Sequence, residues 1–310
     1  MSGQVPSMSP LGAQSHLIPP PIPGTSTTPP GNLVQEWPDL GLTLICDFIS
    51  PAEEQEMISS FHAISPLNPA DTKRRISQHF GHHFDYTTFG IDESKHSPVP
   101  SYITNFLDRL PVDTEGKEMG RKPDQFTVQY YPPGAGIPPH VDTHSMFGEA
   151  LYSLSFGSGV PMIFRMSGEN EARKLRLPKR SLQESSQAGL DASADGKAAD
   201  EKSEKAEGVV AHPAWELMLP ARSLLVMRGA SRYGYTHGIR PRKTDVVDGV
   251  TVRREGRYSI TMRSVRRGEE IGCDCPFPGV CDARVRKEQE AAAIVENTEM
   301  AGTECHMNSP

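Results

Sequence analysis

The sequence predicts a mainly β domain of α+β type, with a few supporting helices and disordered termini. Three observations lead there. Apolar and polar residues alternate with period two along short runs, as in Phe126-Thr-Val-Gln-Tyr-Tyr131 and Arg257-Tyr-Ser-Ile-Thr-Met-Arg263. Turn residues separate the runs, Gly157-Ser-Gly159 being one such break. The residues with chemical potential sit on these runs and not on helices. Many short strands with few helices point to two packed sheets, a double-stranded β-helix or jelly roll whose mouth can hold a metal.

Residues 1–40 open the chain with Pro, Ser, Thr and Gly, including Pro19-Pro20-Pro21 and Pro29-Pro30. Such a segment buries too little apolar surface to offset its ordering entropy, so a disordered Pro/Ser-rich tail is expected. Leu42-Thr-Leu-Ile-Cys-Asp-Phe-Ile-Ser50 alternates like a strand, with Cys46 a core residue. Ser50-Pro51-Ala-Glu-Glu54 then supplies a cap, a first-turn proline and acidic residues for a helix. Pro100 to Arg109 reads as a short amphipathic helix supporting the sheet. Phe126 to Tyr131 is a strand leading into Pro132-Pro-Gly134, and Leu151–Phe156 and Pro161–Met166 are two more. Residues 167–212 dissolve into Ala, Ser, Glu, Asp and Lys without an apolar stripe, which predicts a disordered insertion at a hairpin tip. Strands resume at Trp215–Leu219 and Arg222–Met227. One domain over 41–286 is expected, with 287–310 a disordered Ala/Glu-rich tail.

The 310 residues carry a net charge of −7. Between Glu184 and Glu207 lie seven acidic and three basic residues, so −4 of that charge is local and −3 remains for the rest. Lys73-Arg74-Arg75, Arg240-Pro-Arg-Lys243 and Arg253-Arg254 could form a positive rim. The charge is therefore neutral on a nucleic-acid partner. Five cysteines, no leader with a basic and an apolar region, and no apolar run of membrane-spanning length predict an intracellular protein, and a monomer is expected. The thiols would be reduced, the location cytoplasmic, nuclear or both, and no membrane is expected as a partner.

The chemistry centres on Gln129 to His144. His140 and Asp142 are two apart, so on an extended segment an imidazole and a carboxylate point the same way. That supplies two members of a two-histidine, one-carboxylate triad, which leaves positions open on iron(II). His-x-Asp alone is weak: about one is expected by chance at ordinary composition, and His83-Phe84-Asp85 also fits. The first pair is preferred because His237 follows in Tyr235-Thr-His-Gly-Ile239, and then the strand Arg257–Arg263. Its alternation puts Arg257, Ser259, Thr261 and Arg263 on one face. A polar face with an arginine at each end suits a small dianion, because guanidinium clamps a carboxylate bidentately. The dianion that accompanies such an iron is 2-oxoglutarate. Cys273, Cys275 and Cys281 place three thiols in nine residues and signal a structural zinc, which wants a fourth ligand.

With these residues in place, the chain resembles the AlkB family of Fe(II)/2-oxoglutarate dioxygenases from about Leu42 to Arg284, outside the insertion. The family pattern is met at Tyr131, Pro133-Gly134, His140, Asp142, His237, Arg257 and Arg263. Gly136-Ile-Pro-Pro-His-Val-Asp-Thr-His144 and Cys273-x-Cys-x-x-Pro-x-x-Cys-Asp282 are similar to one branch, which hydroxylates the carboxymethyl side chain of wobble uridine in tRNA. The resemblance implies Fe(II) on His140, Asp142 and His237, and His144 as the fourth zinc ligand beside the three cysteines. It implies 2-oxoglutarate held by Gln129, Tyr131, Arg257, Ser259 and Arg263, with Arg257 on the distal carboxylate and Arg263 nearer the metal. Gln129 stands where the family has asparagine.

The basic and aromatic stretch from Lys73 to Tyr86 matches the family's nucleotide-recognition lid. Lys73, Arg74, Arg75, Phe80 and Tyr86 are its candidate contacts to single-stranded nucleic acid, although the same rings would serve as the core face of a hairpin. The partner implied is tRNA, with a separate tRNA methyltransferase supplying the precursor. Two other functions stay open, N-alkyl demethylation of DNA or RNA and an inactive binding module. The complete triad and both arginines argue against the second.

Overall fold

Alternation along each strand decides which face is buried, and the computed structural model follows it closely. Residues 22–23, 33–67, 74–85, 90–111, 121–167, 214–247, 249–288, 291 and 294 are described. The strands are β1 (Ile22–Pro23), β2 (Val34–Trp37), β3 (Leu42–Ile45), β4 (Ile76–Asp85), β5 (Gly90–Ser97), β6 (Gln125–Tyr131), β7 (Ile137–His140) and β8 (Phe147–Gly157). They continue as β9 (Val160–Met166), β10 (Ala214–Leu219), β11 (Ser223–Met227), β12 (Tyr235–Ile239), β13 (Thr244–Val247), β14 (Val250–Arg253) and β15 (Arg257–Val265). Helix α1 (Pro51–Ile64) is long, whereas α2 (Ser101–Thr104) and α3 (Gly229–Tyr233) are short.

A larger sheet runs in the order β1-β2-β3-β11-β8-β15-β6-β4-β5, and a smaller one in the order β10-β9-β12-β7. Every pairing is antiparallel. This is the expected mainly β jelly-roll architecture. On the outer face of the larger sheet, Tyr258, Ile260 and Met262 of β15 join Val128 and Leu154 beneath α1 and α2. Between the sheets, Leu42, Leu44, Leu225 and Met227 meet Phe164, Trp215 and Leu217. Across β8, β15 and β6, however, that inner face turns polar. Ser153, Ser155, Arg257, Ser259, Arg263 and Thr127 are all buried there. A buried polar layer costs free energy unless it is satisfied, so it marks where a ligand belongs.

Helix α1 starts as the sequence predicts. Glu53 N–H donates to Ser50 Oγ at 3.2 Å, and Ser50 N–H donates to Glu53 Oε2 at 2.7 Å. The helix buries Met57 and Phe61 one turn apart. Ser50→Ala should therefore lower unfolding free energy by about 1 kcal/mol, read as a shifted urea midpoint at unchanged slope.

Two expected boundaries move. Val34–Trp37, assigned to the disordered tail, is a strand paired with β3, and it buries Gln35 and Trp37. Its own alternation outweighs the proline-rich context. Pro100–Arg109 is α2 followed by a separate 3-10 turn at Leu107–Arg109. The insertion expected over 167–212, apart from Ser167, most of the N-terminal tail and the residues beyond 294 lie outside the described residues.

Candidate active site and metal centre

Strand β7 is the edge of the smaller sheet, the one place where Pro138 and Pro139 can sit without breaking a ladder. It ends at His140, which lies directly across from His237 of β12. The two imidazole centroids are 4.4 Å apart. The chain then leaves the strand, and a loop brings Asp142 round so that Oδ2 is 3.7 Å from His237 Nε2. One ligand atom from each of the three residues lies within 4.8 Å of the others, a span that fits a single ion.

The carboxylate is aimed by arginine. Arg263 donates through Nε at 2.9 Å and Nη2 at 2.6 Å, both to Asp142 Oδ1, which leaves Oδ2 for a metal. Burial pushes this carboxyl up, but Arg263 and the neighbouring histidines outweigh it and hold the group below the usual range. Burial and His140 pull His237 down to about 3, against Asp142, so a neutral imidazole faces the site. The decoy pair falls elsewhere. His83 lies on β4 with Nε2 2.7 Å from Ser97 Oγ, and neither it nor Asp85 joins a metal-sized cluster among the described residues.

Arg257, Ser259, Thr261 and Arg263 share the inner face as their spacing predicts. Arg257 pairs across strands with Tyr131, and Ser259 with Gln129. Arg257 is 2% exposed and stands 5.3 Å over the Tyr131 ring. Its Nη2 donates to Ser155 Oγ at 2.8 Å, while Nε and Nη1 are buried without a hydrogen-bond partner. Buried, unsatisfied guanidinium hydrogens fit the far carboxylate of a dianion. Gln129 accepts from the Tyr131 hydroxyl and donates to Ser77 Oγ at 3.1 Å, so its longer side chain is engaged inside the sheet.

The second cluster also assembles. The chain turns after Thr143, so His144 points away from the iron trio, and Nδ1 comes within 3.5 Å of Cys275 Sγ. His144, Cys273, Cys275 and Cys281 offer ligand atoms within 4.8 Å of one another, a donor set of one imidazole and three thiols that fits tetrahedral zinc. Hydrogen bonding from Cys281 lowers the Cys273 thiol against burial, whereas burial raises Cys275 and the Cys273 bond raises Cys281, so Cys273 is the thiol that ionises first.

Sequence reasoning missed two residues that hold both clusters. Arg232, 1% exposed, donates to the carbonyl oxygens of Asp142 at 2.9 Å and Thr143 at 2.7 Å. Asp282 accepts from His144 N at 2.7 Å, Ser145 N at 3.1 Å, Thr143 Oγ1 at 2.8 Å and Ser145 Oγ. The one available signal was Asp282 following Cys281 directly.

The nucleotide contacts divide. Lys73 and Tyr86 lie outside the described residues. Arg74 and Arg75 are exposed, and Arg75 reaches to 5.8 Å from the Tyr131 ring. Phe80 packs on the helix-side core, on the face away from the inner polar layer, so it is not available to stack on a base. Phe84 takes the inner side instead, 5.1 Å from Phe147. The cause is Gly81, with φ of 71°, and a register shift at His82/His83 that reverses the alternation.

Known proteins resemble this chain over most of its length. The profile of the 2OG-Fe(II) oxygenase superfamily matches residues 41–263. The chain is 32% identical over 276 residues to the tRNA (carboxymethyluridine(34)-5-O)-methyltransferase alkbh8 of Xenopus tropicalis, covering 82% of this chain and 36% of that one. It is 33% identical over 248 residues to the Alkylated DNA repair protein ALKBH8 homolog of Arabidopsis thaliana, covering 79% and 63%. It is 28% identical over 215 residues to the alpha-ketoglutarate-dependent dioxygenase alkB homolog 4 of Mus musculus, covering 68% and 67%. The chain thus spans about a third of the length of the Xenopus relative and under two thirds of the Arabidopsis one. It belongs to the 2OG-Fe(II) oxygenase superfamily, as an AlkB-like dioxygenase.

Proposed function

We propose that this dioxygenase hydroxylates the carboxymethyl-type side chain of the wobble uridine of tRNA, on a precursor made by a separate methyltransferase. The observation that carries the choice of base is the similarity, over 276 residues, to a relative named for carboxymethyluridine 34. The exposed cations Arg74 and Arg75 at the cleft support an anionic substrate. An anticodon loop presents its base unstacked, which avoids the cost of flipping it out of a duplex.

On this reading His140, Asp142 and His237 hold Fe(II). His144, Cys273, Cys275 and Cys281 hold zinc. Iron, 2-oxoglutarate and O2 together supply the oxidant that turns a substrate C–H into C–OH, leaving succinate and CO2. The chain's part is positioning. Arg257 takes the distal carboxylate with its two unpaired N–H groups, Tyr131 walls that pocket, and Ser259 and Gln129 line it. Arg263 keeps Asp142 ionised and oriented. Arg257→Met should cost about 3 kcal/mol of 2-oxoglutarate binding, roughly a hundredfold in KM, with little change in kcat at saturation.

If the oxidised carbon bears nitrogen, the product collapses with loss of formaldehyde; on a side-chain carbon the alcohol persists. Iron-loaded protein incubated with tRNA carrying the unhydroxylated side chain should add one oxygen to the uridine and release no formaldehyde, as read by nucleoside mass spectrometry. Formaldehyde from methylated single-stranded DNA, with the tRNA untouched, would replace this reading with demethylation.

A further inference from the structure

We infer that the β13–β14 hairpin and the segment entering it form a second grip on the RNA, beside the mouth of the site. This deepens the proposed function and rests on its RNA substrate. A two-stranded ribbon is marginal in water by itself, and this one is fixed at its root. Arg254, 4% exposed, donates to both oxygens of Asp245 and, through Nη1 at 2.7 Å, to the Arg240 carbonyl. Arg242 pairs with Glu216 and Asp245, each at 2.6 Å. This network consumes Asp245 and Glu216.

It leaves Arg240, Lys243 and Arg253 exposed, with no ion pair among the described residues. Glu255 is the nearby exposed carboxylate. Val246 and Val250 are also exposed, at 65% and 63%, one on each face of the ribbon.

Position decides what this surface is for. A methyl group added at Gly134 would touch the Lys243 side chain at 3.5 Å, and one at Gly136 would strike the backbone of Ile239 to Pro241. The hairpin root therefore lies against the loop that joins Tyr131 to His140. Arg254 lines one cleft together with Tyr131 and Arg257. Three unpaired cations in that place complement the phosphates flanking a base that enters the site. Arg74 and Arg75, which precede β4 of the larger sheet, supply the first grip.

The test uses the full iron-loaded chain and tRNA bearing the unhydroxylated side chain, with Kd measured across a salt series. Arg240→Ala, Lys243→Ala and Arg253→Ala combined should weaken binding roughly 10- to 100-fold at low salt and flatten the slope of log Kd against log salt by about 2. The kinetic loss should fall on KM for tRNA, and melting temperature should hold because all three side chains are exposed. Lys243→Ala alone should give a smaller shift of the same kind. Wild-type Kd and slope in the triple variant would overturn the hairpin's role while leaving the tRNA reading intact if the base is still hydroxylated. Absence of any RNA binding by the unaltered protein would overturn both.

Discussion

His140→Ala or Asp142→Ala is expected to cut substrate-dependent conversion of 2-oxoglutarate to succinate by more than about 100-fold, since losing only an outer-sphere partner already costs 10- to 100-fold. The two changes fail for different reasons. His140 is exposed at the end of an edge strand, so its loss removes a ligand and little packing. Asp142 is buried and carries both hydrogen bonds from Arg263, so its loss also strands a buried guanidinium and should lower stability. Asp142→Asn keeps the shape and separates the effects: iron content should fall while the melting temperature falls less. His83→Ala and Asp85→Ala are the controls, because that pair lies on β4 with His83 bonded to Ser97. Succinate formation lost equally from both pairs would mean that the iron is assigned to the wrong residues.

Local features of the site were legible in the sequence because they depend on local spacing. The period-two face of Arg257 to Arg263 needs only a strand, and the cysteines need only proximity. What stayed hidden is long-range. Arg232 reaches backbone carbonyls 90 residues away in sequence, and a contact to main-chain oxygen leaves no pattern in residue types. Asp142 was expected to share a face with His140 through extended backbone. It does reach the same ion site, but by a turn that two arginines hold, and that turn is what frees His144 to face the cysteines. Of the two readings of Phe80, the core face holds, while Phe84 departs from it because the glycine bulge at Gly81 resets alternation. The β13–β14 hairpin went unread although Asp248-Gly249 is a strong short-range hairpin signal.

Removing the zinc should damage the fold more than any change in the iron trio. The segment from Gly268 to residue 288 contributes no strand to either sheet, and its apolar cluster is small: Cys275, Cys281, Ala283 and Tyr233. So few buried side chains cannot offset the ordering of some twenty residues, and structural zinc contributes folding energy on the order of 10 kcal/mol where a small module depends on it. Cys275→Ser, or exhaustive chelation, should therefore release this segment while the sheets persist. The expected result is loss of one zinc per chain, with hydrogen-exchange protection lost over 268–288. Release also withdraws Asp282 from Thr143, His144 and Ser145, so exchange should rise at 143–145 as well. Iron binding should weaken only to the extent that Arg232 and Arg263 fail to hold Asp142 without it, and Arg232→Met made together with Cys275→Ser should weaken it by more than the two separate losses combined. Zinc content unchanged in Cys275→Ser would remove the quartet, and with it this account of what orders the C-terminal segment.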